Sequence, residues 1–430
     1  MGYGVASVET TRNNRQAEKS VPAGQSGVGK VIASGRKAGE FLTTEWEERL
    51  RDALETEGRW ARVAKAPSYE EMRPYGHQET AGFPVYKDLE NRLADAAEHP
   101  DPAIAHVMAV CSAYAYSDPR TLSMIMARMG LEDNRVEMIR SSVDAMLIRS
   151  TAFLIRGATG RTAILCYRGT GPLDFINWLS DIDVDPERIG YQLGDPCATV
   201  HAGAYRNVRA TRYEVMNALR RASGPRSSAR PGDGMDGSGN EGGLEALYIT
   251  GHSMGGGMAS LMAVMMRHER KYRETLGDRL KAVYTYGQPM IGDKAFAEAC
   301  EADEFLRDKV IRYTYDCDVV PHLPSAANGP FRHFGRELHY RIPHLRNGVL
   351  GILAQAGCVG IARKGHWEAR RRPAQQMPTM AGIPMAAMSY MARRLRATRS
   401  LPVVYSMDDH MPQHYVSALT PPGVRDEFGD

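Results

Sequence analysis

The run Leu247-Tyr248-Ile249-Thr250 followed by Gly251-His252-Ser253-Met254-Gly255-Gly256 constrains this chain more than any other feature. A β-prone apolar segment enters G-x-S-x-G, and the helix-compatible stretch 257–267 leaves it. That is the order of a strand–turn–helix elbow. The flanking glycines let neighbouring backbone approach closely, and the serine sits at the tip with its Oγ presented to solvent. The Met254 N–H points to where an oxyanion would form. The surrounding chain has the matching rhythm. Strands are expected at 145–156, 162–167, 246–250, 281–286 and 309–315, with helices near 205–222, 253–270 and 294–302. This alternation predicts an α/β fold, a three-layer sandwich around a central, mostly parallel sheet.

More motifs follow the same order. Ile164-Leu165-Cys166-Tyr167 runs into Arg168-Gly169-Thr170, a strand that ends in a turn with a hydroxyl just after a glycine. The β-prone 309–315 empties into Asp316-Cys317-Asp318-Val319-Val320-Pro321-His322-Leu323-Pro324, and Asp409-His410 is followed by His414-Tyr415 near the end. Ser, then Asp, then His is the chain order of α/β-hydrolase-type triads.

With these motifs, 145–342 and 401–420 resemble the fungal-lipase-like class 3 lipases. To the stretches above add Asn177-Trp178-Leu179-Ser180-Asp181, His201-Ala202-Gly203 and Tyr286-Gly287-Gln288-Pro289. The resemblance implies that Ser253 is the nucleophile, Asp318 orients the base and His410 is that base. Asp316 competes with Asp318, but only Asp318 stands directly before Val-Val-Pro. His414 remains an alternative to His410. Thr170 and the Met254 N–H would form the oxyanion hole. The stretch 172–179 falls where the family carries its lid, with Leu173, Phe175 and Ile176 as an apolar face that either covers the site or meets a lipid surface. Trp178 reads as core, and His201 and Asp181 as structural hydrogen-bonding residues. Neither metal nor organic cofactor is implied, and the implied substrate is a lipid ester. The alternative function is a catalytically idle hydrolase scaffold that binds a membrane or a partner.

The departure from the family is 343–400, a long stretch before the catalytic His. From Arg341 to Ser400 the sequence holds eleven Arg or Lys against one Glu, a local +10 in a chain of net charge +3, so the remainder is net −7. Met385, Met388, Ala392 and Leu395 fall on one face of a helix that also bears arginines, which suggests docking on an anionic membrane surface. The apolar run at 349–362 is too short to span a bilayer. Upstream, 1–40 is polar and Gly/Ser-rich and reads as a disordered N-terminal segment. The region 41–144 reads as a helical cover packing on the core, with helices near 41–66 and 103–116. The Gly/Ser-rich 223–243 reads as a flexible loop.

The chain has 430 residues, 43% hydrophobic and 24% charged, as an ordinary globular protein does. Nothing in its charge points to nucleic acid. Six scattered cysteines offer no metal spacing, and Cys166 within an apolar strand reads as a reduced, buried thiol. Gly24 to Lys30 fits a phosphate-binding G-x-x-x-x-G-K, but Val31 stands where Ser or Thr would hold Mg²⁺ and no strand precedes it. No signal peptide or membrane span is expected, so the reading is intracellular, with peripheral membrane contact.

Overall fold

Two Asp-Pro pairs start the first long helices of the computed structural model, which describes residues 84–143, 148–170, 186–189, 197–223, 243–342, 365–379, 385, 388 and 404–424. Helix α1 (Leu89–Asp95) is followed by α2 (Pro102–Tyr114) and α3 (Pro119–Met129). Asp101 accepts the N–H groups of Ala103 and Ile104, and Asp118 those of Arg120 and Thr121. In each helix the proline fills the first position, where no intrahelical bond is lost. Then come β1 (Arg135–Val143), β2 (Ile148–Arg156), β3 (Thr162–Tyr167), β4 (Pro186–Arg188), β5 (Thr199–His201) and α4 (Ala202–Ser223). The middle of the chain supplies β6 (Ala246–His252), α5 (Met254–His268), α6 (Arg270–Leu276), β7 (Leu280–Tyr286), β8 (Gly292–Asp293), α7 (Lys294–Ala302) and α8 (Glu304–Lys309). Last come β9 (Val310–Tyr315), β10 (Phe331–Arg332), β11 (Arg336–Arg341), β12 (His366–Arg370) and α9 (Pro412–Leu419).

Eight strands form the main sheet in the order β1-β2-β3-β6-β7-β9-β11-β12. From β3 to β11 neighbours run parallel, and the outer pairings are antiparallel. Parallel strands covered on both faces must be apolar on both. In β6, Leu247 and Ile249 face the core shared with α4, α5 and α7, while Ala246 and Tyr248 face the core shared with α1, α2, α3 and α9. The predicted three layers are therefore present. A second, four-stranded antiparallel sheet, β10-β8-β5-β4, was not expected.

The sequence reading also missed α1, α3, α6, α8, β1, β11 and β12. The last of these changes the picture of 343–400. Residues 366–370 pair with β11 as the eighth strand of the sheet, and Ala374 and Met377 are buried, Met377 against Val319, Val320 and Leu323. Part of the basic stretch is thus built into the core. Its anchor is an ion pair: Arg312 on β9, fully buried, bonds Glu337 on β11 at 3.0 Å, and Arg370 on β12 reaches the same carboxylate at 3.2 Å. The segments 1–83, 171–185, 224–242, 343–364, most of 380–403 and 425–430 lie outside the described residues, and with them the N-terminal, lid and Gly/Ser-loop expectations. Among the described residues no helix is long and apolar enough to cross a membrane.

Candidate active site

Ser253 joins β6 to α5 with φ 59° and ψ −133°, a conformation rarely tolerated by a residue with a side chain. Its N–H donates to Tyr286 O on β7 at 2.9 Å, and its carbonyl accepts Gly256 N–H at 2.9 Å, which starts the helix. The turn is tight enough to require both glycines. A Cβ on Gly251 would fall 2.3 Å from Gly255 O, and one on Gly255 would fall 2.3 Å from Tyr167 O. The Ser253 side chain does not cap α5, and among the described residues its Oγ has no hydrogen-bond partner. At 1% exposure it is enclosed rather than presented to solvent. The chain leaving β3 packs onto the elbow, and a Cβ on Gly169 would lie 3.3 Å from Ser253 Cβ.

Asp318 follows β9 and is held from several sides. It accepts Val320 N–H at 2.8 Å, the Tyr415 hydroxyl, and His410 Nδ1 at 2.9 and 3.1 Å to its two oxygens. Burial alone would raise its pKa. The His410 charge and the hydrogen bonds from His410, Tyr415 and Val320 outweigh that and hold the carboxyl below its ordinary value. His410 closes a 3₁₀ turn, Asp408–His410, just before α9, and is 5% exposed. Because a carboxylate only accepts, neutral His410 carries its hydrogen on Nδ1, which leaves Nε2 as the basic nitrogen. Gly287, next to the Tyr286 carbonyl that binds Ser253, has φ 57°, and a Cβ there would fall 2.8 Å from both Asp318 Oδ2 and His410 Nδ1. Carboxylate and imidazole therefore meet at one glycine, directly after the residue whose carbonyl accepts the Ser253 N–H.

The other candidates separate. Asp316 has φ 30° and turns its carboxylate toward Ile342 N–H, at 3.4 Å. His414 stacks on Tyr315, ring centroids 5.3 Å apart, with Nε2 3.9 Å from Asp408. Met254 heads α5, where helix N–H groups have no intrahelical acceptor, and Thr170 ends the described part of the β3 exit beside the elbow. Leu173, Phe175, Ile176, Trp178 and Asp181 lie outside the described residues. His201 is buried in β5 with its pKa pushed down to about 4 by burial, and Ala204 N–H approaches its Nδ1 at 3.4 Å. Among the described residues one group has metal-ligating atoms close together: Asp316, Cys317 and Asp409, within 4.8 Å. Asp409 there accepts Cys317 N–H at 3.1 Å. The hydroxyl of Tyr415 on Asp318 is a site contact whose role the sequence reading did not assign. Its only trace in the sequence is the five-residue spacing from His410.

An elbow serine and a buried Asp–His pair on a mixed sheet between helical layers make this an α/β-hydrolase-type protein. Residues 164–328 match the family described as Lipase (class 3), which supports a fungal-lipase-like relationship for that part of the chain. It is 36% identical over 106 residues to a triacylglycerol lipase of Nicotiana tabacum, covering 24% of this chain and 18% of that one. To a lipase of Rhizomucor miehei it is 28% identical over 192 residues, 45% of each chain. The chain thus spans less than half the length of the curated relatives it matches. The solved Rhizomucor miehei lipase–propeptide complex aligns over 73% of this chain and 80% of that chain, with a TM-score of 0.45 and 19% identity.

Proposed function

We propose that this protein is a serine hydrolase that cleaves carboxylic ester bonds of lipids through an acyl-enzyme on Ser253. The observation that carries the reading is the buried Asp318–His410 hydrogen bond, 2.9 Å, which packs against Gly287, the residue after the Tyr286 carbonyl that accepts the elbow serine's N–H. His410 Nε2 takes the Ser253 proton as Oγ attacks the ester carbonyl. The oxyanion is held by Thr170 and by Met254 N–H, each such donor lowering the barrier by about 3 kcal/mol. The tetrahedral intermediate expels the alcohol, which takes its proton from His410. His410 then takes a proton from water as it attacks the acyl carbonyl, and returns that proton to Ser253 Oγ as the fatty acid leaves. Asp318 keeps the imidazole in the required tautomer throughout.

The printed names of the relatives support an acylglycerol as substrate. A phospholipid acyl ester would use the same chemistry. In this reading Leu173, Phe175 and Ile176 supply the lid, and the basic 343–400, which includes the exposed Met385 and Met388, touches an anionic membrane surface.

The test is hydrolysis of short, medium and long acyl esters, below and above their solubility, by wild type and Ser253→Ala. Long-chain turnover that rises at the lipid interface and disappears in the variant is expected. A folded sample without Ser253-dependent turnover on any ester would overturn the proposal.

A further inference from the structure

His252 stands between the sheet and the elbow serine, and both of its ring nitrogens are engaged. Nε2 lies 2.7 Å from the backbone carbonyl of His410, and Nδ1 lies 3.0 Å from the Tyr116 hydroxyl. A carbonyl can only accept, so Nε2 carries the hydrogen. In a neutral ring Nδ1 is then bare and accepts from Tyr116. The ring is neutral: burial, with the neighbouring His410 charge adding to it, pushes its pKa down to about 3. The two contacts therefore select one tautomer. The ring also lies against the imidazole of His410, with centroids 4.5 Å apart and planes at 32°.

Tyr116 is held in turn. The Arg168 guanidinium sits over its ring, 5.8 Å from the centroid. A Cβ on Gly169 would fall 2.3 Å from its hydroxyl. The exit of β3, the elbow and the base thus meet at one Tyr–His contact.

We infer that His252 and Tyr116 are positioning residues that fix the backbone and ring of His410 against the elbow, an inference that rests on the serine hydrolase reading. Asp318 orients the imidazole about its Nδ1, and the His410 N–H donates to Met407 O at 3.2 Å within its own turn. The Nε2–H of His252 joins that turn to the sheet. Because His252 and Ser253 are consecutive, one dipeptide carries the nucleophile and sets where its base stands. Tyr116 acts one step further out, by keeping the His252 hydrogen on Nε2.

Phenylalanine at 252 keeps the ring and its stacking but loses the donor, whereas glutamine restores an N–H near the Nε2 position. The test compares wild type, His252→Phe, His252→Gln and Tyr116→Phe in the full chain. The measurements are kcat and KM on a soluble p-nitrophenyl ester, the rate of Ser253 labelling by a fluorophosphonate, and thermal unfolding. For His252→Phe we expect kcat and labelling to fall on the order of 30-fold with KM unchanged, as expected when a reacting group is misplaced but substrate binding is not. Glutamine should recover most of that loss, and Tyr116→Phe should fall between. Folded His252→Phe with wild-type kcat, or glutamine no better than phenylalanine, overturns the inference. If His252→Phe does not fold, wild-type kcat in Tyr116→Phe overturns it. Failure of the hydrolase reading looks different, because wild type itself would then neither turn over ester nor take the label, and the positioning role would fall with it.

Discussion

Tyr415 donates its hydroxyl hydrogen to Asp318 Oδ2 while accepting Tyr315 N–H at 3.1 Å, so one side chain on α9 ties the carboxylate to the end of the strand that presents it. Removing the hydroxyl in Tyr415→Phe takes one acceptor from a part-buried backbone N–H and one donor from the buried carboxylate. That should cost about 1–3 kcal/mol in urea or thermal unfolding. The Asp318 carboxyl also loses one of the bonds that hold its pKa down. We expect kcat to fall with KM unchanged; a variant as stable and as fast as wild type would remove Tyr415 from the account.

Asp318→Asn tests tautomer control directly. The amide can offer its own N–H to His410 Nδ1, which shifts the imidazole hydrogen to Nε2, where a lone pair is required. A drop in kcat on the order of 10⁴-fold is expected. A loss under tenfold, in a folded variant, would mean that His410 finds its working form without this carboxylate.

Gly255→Ala probes the elbow. Its Cβ would fall 2.3 Å from Tyr167 O and 2.8 Å from Gly169 N, both backbone atoms of the neighbouring strand exit. Backbone cannot swing aside as a side chain can, so β3 and α5 must separate. We expect a loss of about 1–3 kcal/mol in stability and slower fluorophosphonate labelling of Ser253. Unchanged melting and labelling would show that the turn has slack.

Glu337 links stability to pH. Burial alone would raise its pKa, but the charges of Arg312 and His333, with the Ala374 N–H bond and Arg370, bring it down to about 2. Its folded pKa is below its unfolded one, so the stabilisation is complete above about pH 5 and is lost as pH falls toward 2. Glu337→Gln leaves Arg312 charged and buried, which should cost about 3–5 kcal/mol at neutral pH. The variant should also lose less stability than wild type between pH 5 and 2. Parallel acid-unfolding curves would count against this assignment.

How much of this was legible depended on where each signal was stored. Strands β3, β6, β7 and β9 were read to within one or two residues because their burial is written as local apolar runs. Strand β11 hid behind Arg336, Glu337 and Arg341, because the cation that neutralises Glu337 is 25 positions away. Strand β12 was absorbed into a basic stretch for the same reason, and the half-exposed β1, with Met138 46% exposed, lacks a continuous apolar face. The elbow was readable from its glycines. The pairing of Asp318 with His410 across 92 positions came from family resemblance. His410 was preferred to His414 on the resemblance and its spacing to Tyr415, whereas the 3₁₀ turn and the stacking of His414 on Tyr315 are contacts that no spacing encodes. Tyr116 gave no sign at all, since its partner is 136 residues away.

The pairing of β12 with β11, together with buried Met377, divides the long path from Asp318 to His410 into two spans. Residues 366–370 continue the sheet, and Met377 packs against Val319, Val320 and Leu323 just past Asp318. Asp318 and His410 are therefore not joined by one unanchored stretch of chain. A part of the chain that departs from the family pattern is thereby stitched into the sheet, with one strand between it and the strand that leads to Asp318.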